Sequence, residues 1–464
     1  MKKVIILAVA IAIGAFGAYM VYHEAVKLGL TRSESQNEHP AWFETDSAAA
    51  IAARTAADFS LSKDEILEAI KKRHPDITEA MLDTFLAGHY IEAMTIDGVR
   101  RFHRKSPNNL DLLNPEYSKA TNGNGDLAAR NRYSYVDSVL EYYKGNNPLG
   151  LSHRVKYRFS IDVPGHEIYS GDTLKVWMPL PLTNPESGRQ RDLRIISASP
   201  AEYILSDNHS VHNTIFFTAP APQPGDTAHF EYVGEYIVSG AYYSDDAILK
   251  AIKPYDKSSD TYRQYTSFEQ PHIIRLDSLA HEITGNETNP FRQSELVYDW
   301  IDTNFPWAGA REYSTIPCIP QYVLTERHGD CGQVSLLYIS LMRSLGVPAR
   351  WESGWMLHPG ETNLHDWAEV YFEGIGWVPV DMSFGRYNGA DKPEITNFYS
   401  HGIDAHRFAT NKGVCGDLFP PKEFVRSETV DFQLGEVETT RGNLFYPAWD
   451  INFDLISITP IAEP

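Results

Sequence analysis

Residues 327–350 read RHGDCGQVSLLYISLMRSLGVPAR, and this stretch predicts a turn, a helix and a defined helix end. Asp330 is a typical N-cap, Gly346 suits the left-handed residue that closes a helix, and Pro348 prevents continuation. Between these ends the apolar residues follow helical spacing and cover most of the helix surface. The stretch therefore predicts a buried central helix with Cys331 in its first turn.

The position of Cys331 has a chemical consequence. Unpaired N–H groups and the helix dipole at a helix start favour a thiolate over a thiol, and the thiolate is the nucleophilic form. The same N–H groups can hold the oxyanion that forms when sulfur adds to an amide carbonyl. The alternative is a buried, inert cysteine, which is the usual role of this residue type.

A second stretch, residues 364–384, reads LHDWAEVYFEGIGWVPVDMSF and predicts two strands around a glycine-containing turn. A three-residue loop would pair Tyr371 with Ile375. In that register His365 lies directly opposite Asp381, with Cβ atoms about 5 Å apart. A carboxylate at this distance can accept the ring N–H and fix the tautomer of the imidazole.

Together these residues supply the three roles that thiol acyl transfer needs. Cys331 is predicted to be the nucleophile, His365 the general base and Asp381 the group that orients the base. Taken singly, His365 is more often a polar surface residue and Asp381 a turn former. We expect no cofactor and no metal, because His401 and His406 in HGIDAHRF lack the spacing of a shared metal site.

The two stretches resemble the catalytic core of the transglutaminase-like superfamily. That family has Gly-x-Cys at the start of a helix that ends in Gly-[Val/Ile]-Pro-[Ala/Ser]-Arg, then His-x-Trp on one strand and Gly-Trp-x-x-x-Asp on the next. The residues of this chain that match the pattern are Gly329, Cys331, Gly346, Pro348, Arg350, His365, Trp367, Gly376, Trp377 and Asp381. The resemblance covers residues 289–385.

The resemblance implies an α+β protein with a papain-like core and assigns the three catalytic roles to Cys331, His365 and Asp381. Members of the family cross-link glutamine to amines or hydrolyse amides as peptidases, deamidases or amidases, and some have lost catalysis. The animal cross-linking enzymes have an aromatic residue directly after the cysteine, where this chain has Gly332. They also use an upstream tryptophan at the oxyanion, for which Trp307, Gln321 and Tyr322 are loose candidates here.

Two readings of the function follow. In the first, the chain is an exported thiol enzyme that acts on amide bonds through a Cys331 thioester, as a peptidase, deamidase or protein-glutamine acyltransferase. In the second, it is a catalytically inactive protein of the same fold that binds peptide or glycan in the cell envelope. The expected partner is a protein or peptide substrate, with cell-wall peptide among the candidates.

The 464 residues are too many for one ordinary core and predict two or three domains. Residues 33–120 are expected to be helical, because Ser62 and Asp76 each open a capping-box pattern. Residues 150–250 show the short alternating runs of a β-sandwich-like accessory domain, which resembles the domain before the core in bacterial relatives. Residues 260–420 are the predicted catalytic core and residues 425–464 a C-terminal β segment.

The first 22 residues predict a signal peptide or a membrane anchor. Lys2 and Lys3 precede an apolar run from Val4 to Tyr22, which is nearly long enough to span a bilayer of about 30 Å. The lysines should stay in the cytoplasm while the rest of the chain crosses. We therefore expect a periplasmic or extracytoplasmic protein, either released or attached to the inner membrane through residues 4–22. The resemblance of the β-rich segment to bacterial relatives implies a bacterial protein.

The charge and the cysteines limit the other function classes. A net charge of −20, from 41 basic and 61 acidic residues, repels phosphate backbones and argues against nucleic acid as a partner. Three cysteines are too few for a disulfide scaffold. In an oxidising compartment, Cys318 and Cys415 could pair and leave Cys331 free.

Overall fold

A computed structural model of the chain describes residues 42–117, 133, 135–143, 147–169, 171–183, 188–207, 209–387 and 392–461. The predicted signal or anchor at residues 1–22 lies outside this part of the chain. Among the helices that are described, none has the length and apolar character needed to cross a bilayer.

The helices are short and are concentrated in the N-terminal region and the centre of the chain. They are α1 Ser47–Asp58, α2 Lys63–Lys71, α3 Glu79–Ala87, α4 Ser106–Leu113, α5 Val136–Tyr142, α6 Asp245–Ala251, α7 Asp260–Tyr265, α8 Asp277–Thr284, α9 Pro290–Asn304, α10 Ile319–Glu326, α11 Cys331–Ser344 and α12 Pro393–Thr396.

Within the described residues, the strands make up two large sheets, one smaller sheet and a hairpin. They are β1 Phe43–Glu44, β2 Ala93–Ile96, β3 Val99–Phe102, β4 Leu149–Pro164, β5 Thr173–Pro179, β6 Gln190–Ser199, β7 Ile204–Leu205, β8 Thr214–Pro220, β9 Thr227–Tyr242, β10 Ala349–Met356, β11 Asn363–Phe372, β12 Gly376–Val380, β13 Gly402–Ile403, β14 Arg407–Asn411, β15 Glu436–Thr439, β16 Asn443–Leu444 and β17 Asp450–Pro460.

The N-terminal region contains the helices that the sequence predicts and also the β2–β3 hairpin. At Ser62 the predicted capping box is confirmed, because the Ser62 hydroxyl and the Glu65 carboxylate each bond the other residue's backbone N–H. The capping box predicted at Asp76 is wrong. The next helix begins at Glu79, because Ile77 is buried and its N–H closes a turn with the carbonyl of His74.

The sandwich is built from segments that are distant in sequence. One sheet has the order β1-β16-β15-β5-β8-β7, and the other has the order β13-β9-β4-β17 with β6 on β9. Side chains of both sheets share one apolar core. The last strand, β17, pairs with β4 over most of its length, so the C-terminal β segment completes the accessory sandwich.

The predicted core is a central helix against a small sheet, and the structure is α+β with a papain-like core of this kind. Helix α11 packs on β11 and β10 in the sheet of order β12-β11-β10-β14. Every residue from Gly332 to Arg343 is buried, as the apolar pattern predicts. Gly346 takes the positive φ expected of a residue that closes a helix.

The predicted register of the β11–β12 hairpin is wrong by two residues. Phe372, and not Tyr371, pairs across the loop, with Gly376 as its partner. Gly376 and Gly374 both adopt positive φ, which allows the chain to turn one residue later than expected. A shift of two residues keeps every side chain on its original face, since the strand period is two.

Candidate active site

Cys331 is the first residue of α11, and its position is fixed by a capping box. The Asp330 carboxylate accepts the Gln333 N–H, and the Gln333 side-chain oxygen accepts the Asp330 N–H at 3.2 Å. These two bonds satisfy helix-start donors that would otherwise be unpaired. Cys331 is half-buried at this helix start.

The environment of the thiol differs from the one predicted. The Sγ of Cys331 donates to Oδ2 of Asp366 at 3.3 Å. Burial, together with the nearby carboxyls of Asp366 and Asp330, raises the pKa of the Cys331 thiol well above its ordinary value. The expectation of a resting thiolate is therefore wrong for this structure, because burial and two acidic neighbours outweigh the effect of the helix start.

The rate at which a neutral iodoacetamide reagent alkylates Cys331 is expected to keep rising with pH beyond 9, the ordinary pKa of a cysteine thiol, because the pKa of Cys331 is well above that value. Below that pH the sulfur is a thiol, and only the thiolate reacts. The measurement is the modification rate by mass spectrometry in a variant with serine at positions 318 and 415. A plateau below pH 7 would instead indicate a preformed ion pair with an imidazolium.

His365 and Asp381 lie together, although not through the predicted register. His365 Nε2 is 2.7 Å from Asp381 Oδ2, and both side chains are buried. Burial lowers the pKa of His365, and the opposing effect of Asp381 only partly offsets it. The imidazole is thus neutral at neutral pH, which is the form that can accept a proton.

An arginine completes this pair from strand β14. Arg407 Nη1 lies 3.1 Å from the same Oδ2 of Asp381, and Nη2 lies 2.7 Å from Asp404. Burial alone would raise the pKa of Asp381, but His365 and Arg407 hold that pKa below its ordinary value. Asp381 is therefore an anion and can fix the orientation of the imidazole.

The structure does not join this pair to the thiol. In the described part of the chain, no hydrogen bond connects Cys331 with His365, and the thiol bonds Asp366 instead. His365 and Asp366 are neighbours on β11, and neighbouring side chains on a strand point to opposite faces. Asp366 therefore points toward α11 with Ala368, which packs in the core beneath that helix.

Cys331 lies in a cleft of about 350 Å³ between the three parts of the molecule. The N-terminal region contributes Lys105, the loop before α10 contributes Trp307, and the sandwich contributes Phe453 of β17. The accessory sandwich thus shapes the groove as well as packing beside the core. A cleft that opens on a half-buried nucleophile has the form expected of a substrate site.

Acidic residues that the sequence analysis did not single out line the cleft beside Cys331. They are Asp366, Glu428 and Asp431, and the amide of Gln433 donates to Asp366 Oδ1 at 2.7 Å. The sequence could have indicated Asp366, because it lies in the motif HDW between two residues that match the family pattern. The other three lie about 65 residues further along the chain, and no local pattern connects them with Cys331.

Gly332, the residue after the nucleophile, has no room for a side chain. A Cβ at this position would lie 2.4 Å from the Tyr313 hydroxyl, 2.6 Å from Asp366 Oδ2 and 2.8 Å from the Trp351 ring. These contacts are closer than real Cβ atoms come, so an aromatic residue cannot occupy this position without repacking.

Replacing Gly332 with alanine is expected to lower the free energy of unfolding by about 1–3 kcal/mol, because the methyl group overpacks a closed space. The same change should break the Cys331–Asp366 contact. Chemical denaturation measures the loss. Gly329→Ala is the matched control, since a Cβ there first meets side-chain atoms at 3.2 Å and should cost less. Equal losses in the two variants would contradict the steric explanation.

The three loose candidates for an oxyanion donor have different positions. Trp307 lines the cleft and its side chain is 47% exposed. The Tyr322 hydroxyl donates to Glu92, and the Gln321 amide bonds Thr325, so both are engaged elsewhere. Cys318 and Cys415, which could pair in an oxidising compartment, are both free thiols in this structure, as is Cys331.

Comparisons with known proteins agree with this fold. Residues 277–382 match the sequence profile of the Transglutaminase-like superfamily. An uncharacterized protein of Haemophilus influenzae is 23% identical over 327 residues, which cover 61% of this chain and 85% of that protein. The uncharacterized protein YebA of Bacillus subtilis is 29% identical over 183 residues, which cover 34% of this chain and 24% of YebA.

Two solved structures are similar at low sequence identity. A Cytophaga hutchinsonii protein, provisionally assigned as a cysteine protease, has a TM-score of 0.42 and 16% identity, over 69% of this chain and 95% of that chain. The periplasmic domain of TgpA from Pseudomonas aeruginosa has a TM-score of 0.28 and 13% identity, over 50% of this chain and 88% of that chain.

Proposed function

Since residues 277–382 form a transglutaminase-like domain, we propose that this chain is a thiol enzyme that acts on amide bonds through a thioester on Cys331. The observation that supports it best is a half-buried thiol in the first turn of α11, at the wall of a cleft, with a neutral His365 held by Asp381 on the adjoining strands.

The proposed mechanism needs one rearrangement. Cys331 Sγ must leave Asp366, and the His365 side chain, which points to the opposite face of β11, must come within hydrogen-bond reach of it. Catalytic hydrogen bonds often tighten only when substrate is bound. The imidazole then takes the thiol proton as sulfur adds to the carbonyl carbon. The backbone N–H of Cys331, at the start of α11, is the proposed donor to the oxygen that becomes negative. Collapse of this intermediate leaves a thioester, and the released amine takes the proton from His365.

Water or an amine then resolves the thioester, which separates a peptidase or deamidase from a cross-linking enzyme. Mass spectrometry of a glutamine peptide incubated with the protein and a lysine analogue distinguishes the products. Hydrolysis gives a shorter peptide, deamidation adds about one mass unit, and transfer adds the amine. An unchanged peptide across a panel of sequences would count against an enzyme of this class.

The apolar segment at residues 4–22 supports an exported location for this activity. Protein or peptide, including cell-wall peptide, is the proposed substrate. Accessibility of the chain to protease added outside spheroplasts would test the location. Protection of the whole chain until the inner membrane is opened would contradict it.

One observation favours the second candidate function, a non-catalytic protein that binds peptide or glycan in the envelope. The thiol is bonded to Asp366 and has no hydrogen bond with His365 within the described residues. If this contact persists with ligand bound, the chain binds without chemistry. Crystals with bound peptide that retain the contact and an intact amide would favour this candidate.

A further inference from the structure

One side of the cleft is formed by residues 306–313, which we call the cleft wall. It lies between helices α9 and α10, and its residues 306–312 are outside the helices and strands. Trp307, Gly309 and Tyr313 of this wall line the cleft together with Cys331. A segment without a regular hydrogen-bond ladder keeps one conformation only when neighbouring groups bind its backbone. The position of the cleft wall therefore depends on the contacts on its two sides.

On its inner side the cleft wall is bonded to the turn that leads into α11. The Ala308 N–H donates to the Gly329 carbonyl at 3.1 Å, and the Gly329 N–H donates to the Pro306 carbonyl at 3.3 Å. The Tyr313 hydroxyl donates to the carboxylate of Asp330, which is the N-cap of α11. A displacement of the cleft wall would therefore move the residues immediately before the nucleophile.

On its outer side the cleft wall is bonded to the N-terminal region, residues 42–117. The Asn109 amide donates to the Gly309 carbonyl at 3.0 Å, and the Asn109 side-chain oxygen accepts the Gly309 N–H at 2.8 Å. The Glu312 N–H donates to the Asp58 carboxylate. One side-chain amide thus holds both backbone groups of Gly309, as a residue of a neighbouring antiparallel strand would.

The Asn109 side chain is held in place by its own helix. Asn109 is 2% exposed and lies in α4, and the next residue, Leu110, is fully buried in the apolar core of the N-terminal region. A Cβ on Gly309 would lie 3.1 Å from Asn109 Oδ1 and 3.1 Å from Lys105 Cδ, so the two segments are in close contact. Because a buried amide that loses its partners is costly, the cleft wall and α4 keep one relative position.

We propose that Asn109 is a positioning residue for the chemistry of Cys331. Its amide fixes the cleft wall at Gly309, and the cleft wall fixes the turn before α11 at Gly329. This inference rests on the proposed function. It makes the N-terminal region a part of the catalytic unit, although that region lies outside the transglutaminase-like domain at residues 277–382. Misplacing a reacting group by about 1 Å can lower a rate about 100-fold.

The first test is amide hydrogen exchange of the full-length protein, measured by mass spectrometry of peptic peptides. Asn109→Ala is expected to speed exchange about tenfold in the peptide that covers residues 327–331, because the cleft wall no longer holds Gly329 in one place. Within the described residues, Asn109 forms no hydrogen bond with that peptide, so the change must pass through the cleft wall. Unchanged exchange in residues 327–331 would overturn the proposal.

Asn114→Ala is the matched control for this variant. Asn114 directly follows α4 and is 6% exposed, and its side chain accepts the Glu116 N–H at 2.9 Å within the N-terminal region. Its loss should lower thermal stability to a similar degree and leave exchange in residues 327–331 as in the parent. Thermal denaturation shows whether each variant is folded. Equal acceleration by the two variants would indicate only a loosened N-terminal region and would overturn the proposal.

The second test is the rate of the amide reaction, followed with the peptide that the product assay identifies. Asn109→Ala is expected to lower kcat about 10–100-fold, whereas Asn114→Ala should keep the parental kcat. A kcat of Asn109→Ala equal to that of the parent would overturn the proposal. Absence of an amide reaction in the parent counts against the proposed function alone, because hydrogen exchange still decides whether Asn109 positions the turn before α11.

Gly309→Ala tests the same contact from the other side and serves if Asn109→Ala does not fold. Its methyl carbon would lie 3.1 Å from Asn109 Oδ1, and exchange in residues 327–331 is expected to become about threefold faster. Gly413→Ala is the steric control, because a Cβ there first meets Val211 at 3.1 Å, outside the cleft. Unchanged exchange in Gly309→Ala, or equal changes in the two variants, would overturn the proposal.

Discussion

Replacing Cys331 with alanine is expected to abolish labelling by an amide-directed thiol probe and to lower the rate of amide cleavage by about 10⁶-fold, since the thioester cannot form. The effect should be on kcat, because the cleft and its charges stay in place. Labelling is read by intact-protein mass spectrometry, and cleavage is read with the peptide panel that identifies the product.

The chain supplies two matched controls for this result. Cys318 and Cys415 are also free thiols, and neither lines the cleft of Cys331. Burial raises the pKa of Cys415 to about 11, so it should react slowly at neutral pH. Cys318→Ser and Cys415→Ser should keep full activity. Equal probe labelling of the Cys331→Ala protein and its parent would contradict the proposed role of Cys331.

The second large effect is expected for Asp381→Asn, which should lower kcat by about 10⁴-fold with little change in KM. The amide keeps the shape of the carboxylate but cannot hold the His365 tautomer or stabilise the imidazolium that forms during attack. Stopped-flow acylation, with thermal denaturation as a check on folding, measures the change.

Asp404→Asn is the matched control for this variant. Asp404 is buried and pairs with the same Arg407, but it does not contact His365. Loss of the ion pair between Asp404 and Arg407 should lower the free energy of unfolding, whereas most of the wild-type kcat should be retained. Equal losses of kcat in the two variants would show that the Arg407 network is needed for folding of the site, and that Asp381 has no special role in orienting the base.

The pairing of His365 with Asp381 shows how a sequence argument can predict a contact from an incorrect register. The predicted hairpin placed the two residues opposite each other, whereas the observed register shifts the strands by two. The residues still meet, because a shift of two preserves the face and Asp381 continues past the last paired residue, Val380. The two-residue period of a strand predicts the sheet face on which each side chain lies, whereas the residue at which the β11–β12 hairpin turns could not be predicted.

The sequence alone determined helix α11, from its Asp330 cap to Gly346, because caps, apolar spacing and a following proline are local signals. It also determined the order of Cys331, His365 and Asp381. Only the tertiary structure decided the charge around the thiol. Asp431 and Arg407 lie in segments far along the chain from Cys331. Their positions near the site depend on tertiary packing, which no local sequence pattern encodes. For that reason the sequence predicted a thiolate, whereas burial and the acids of the folded cleft raise the pKa of the Cys331 thiol.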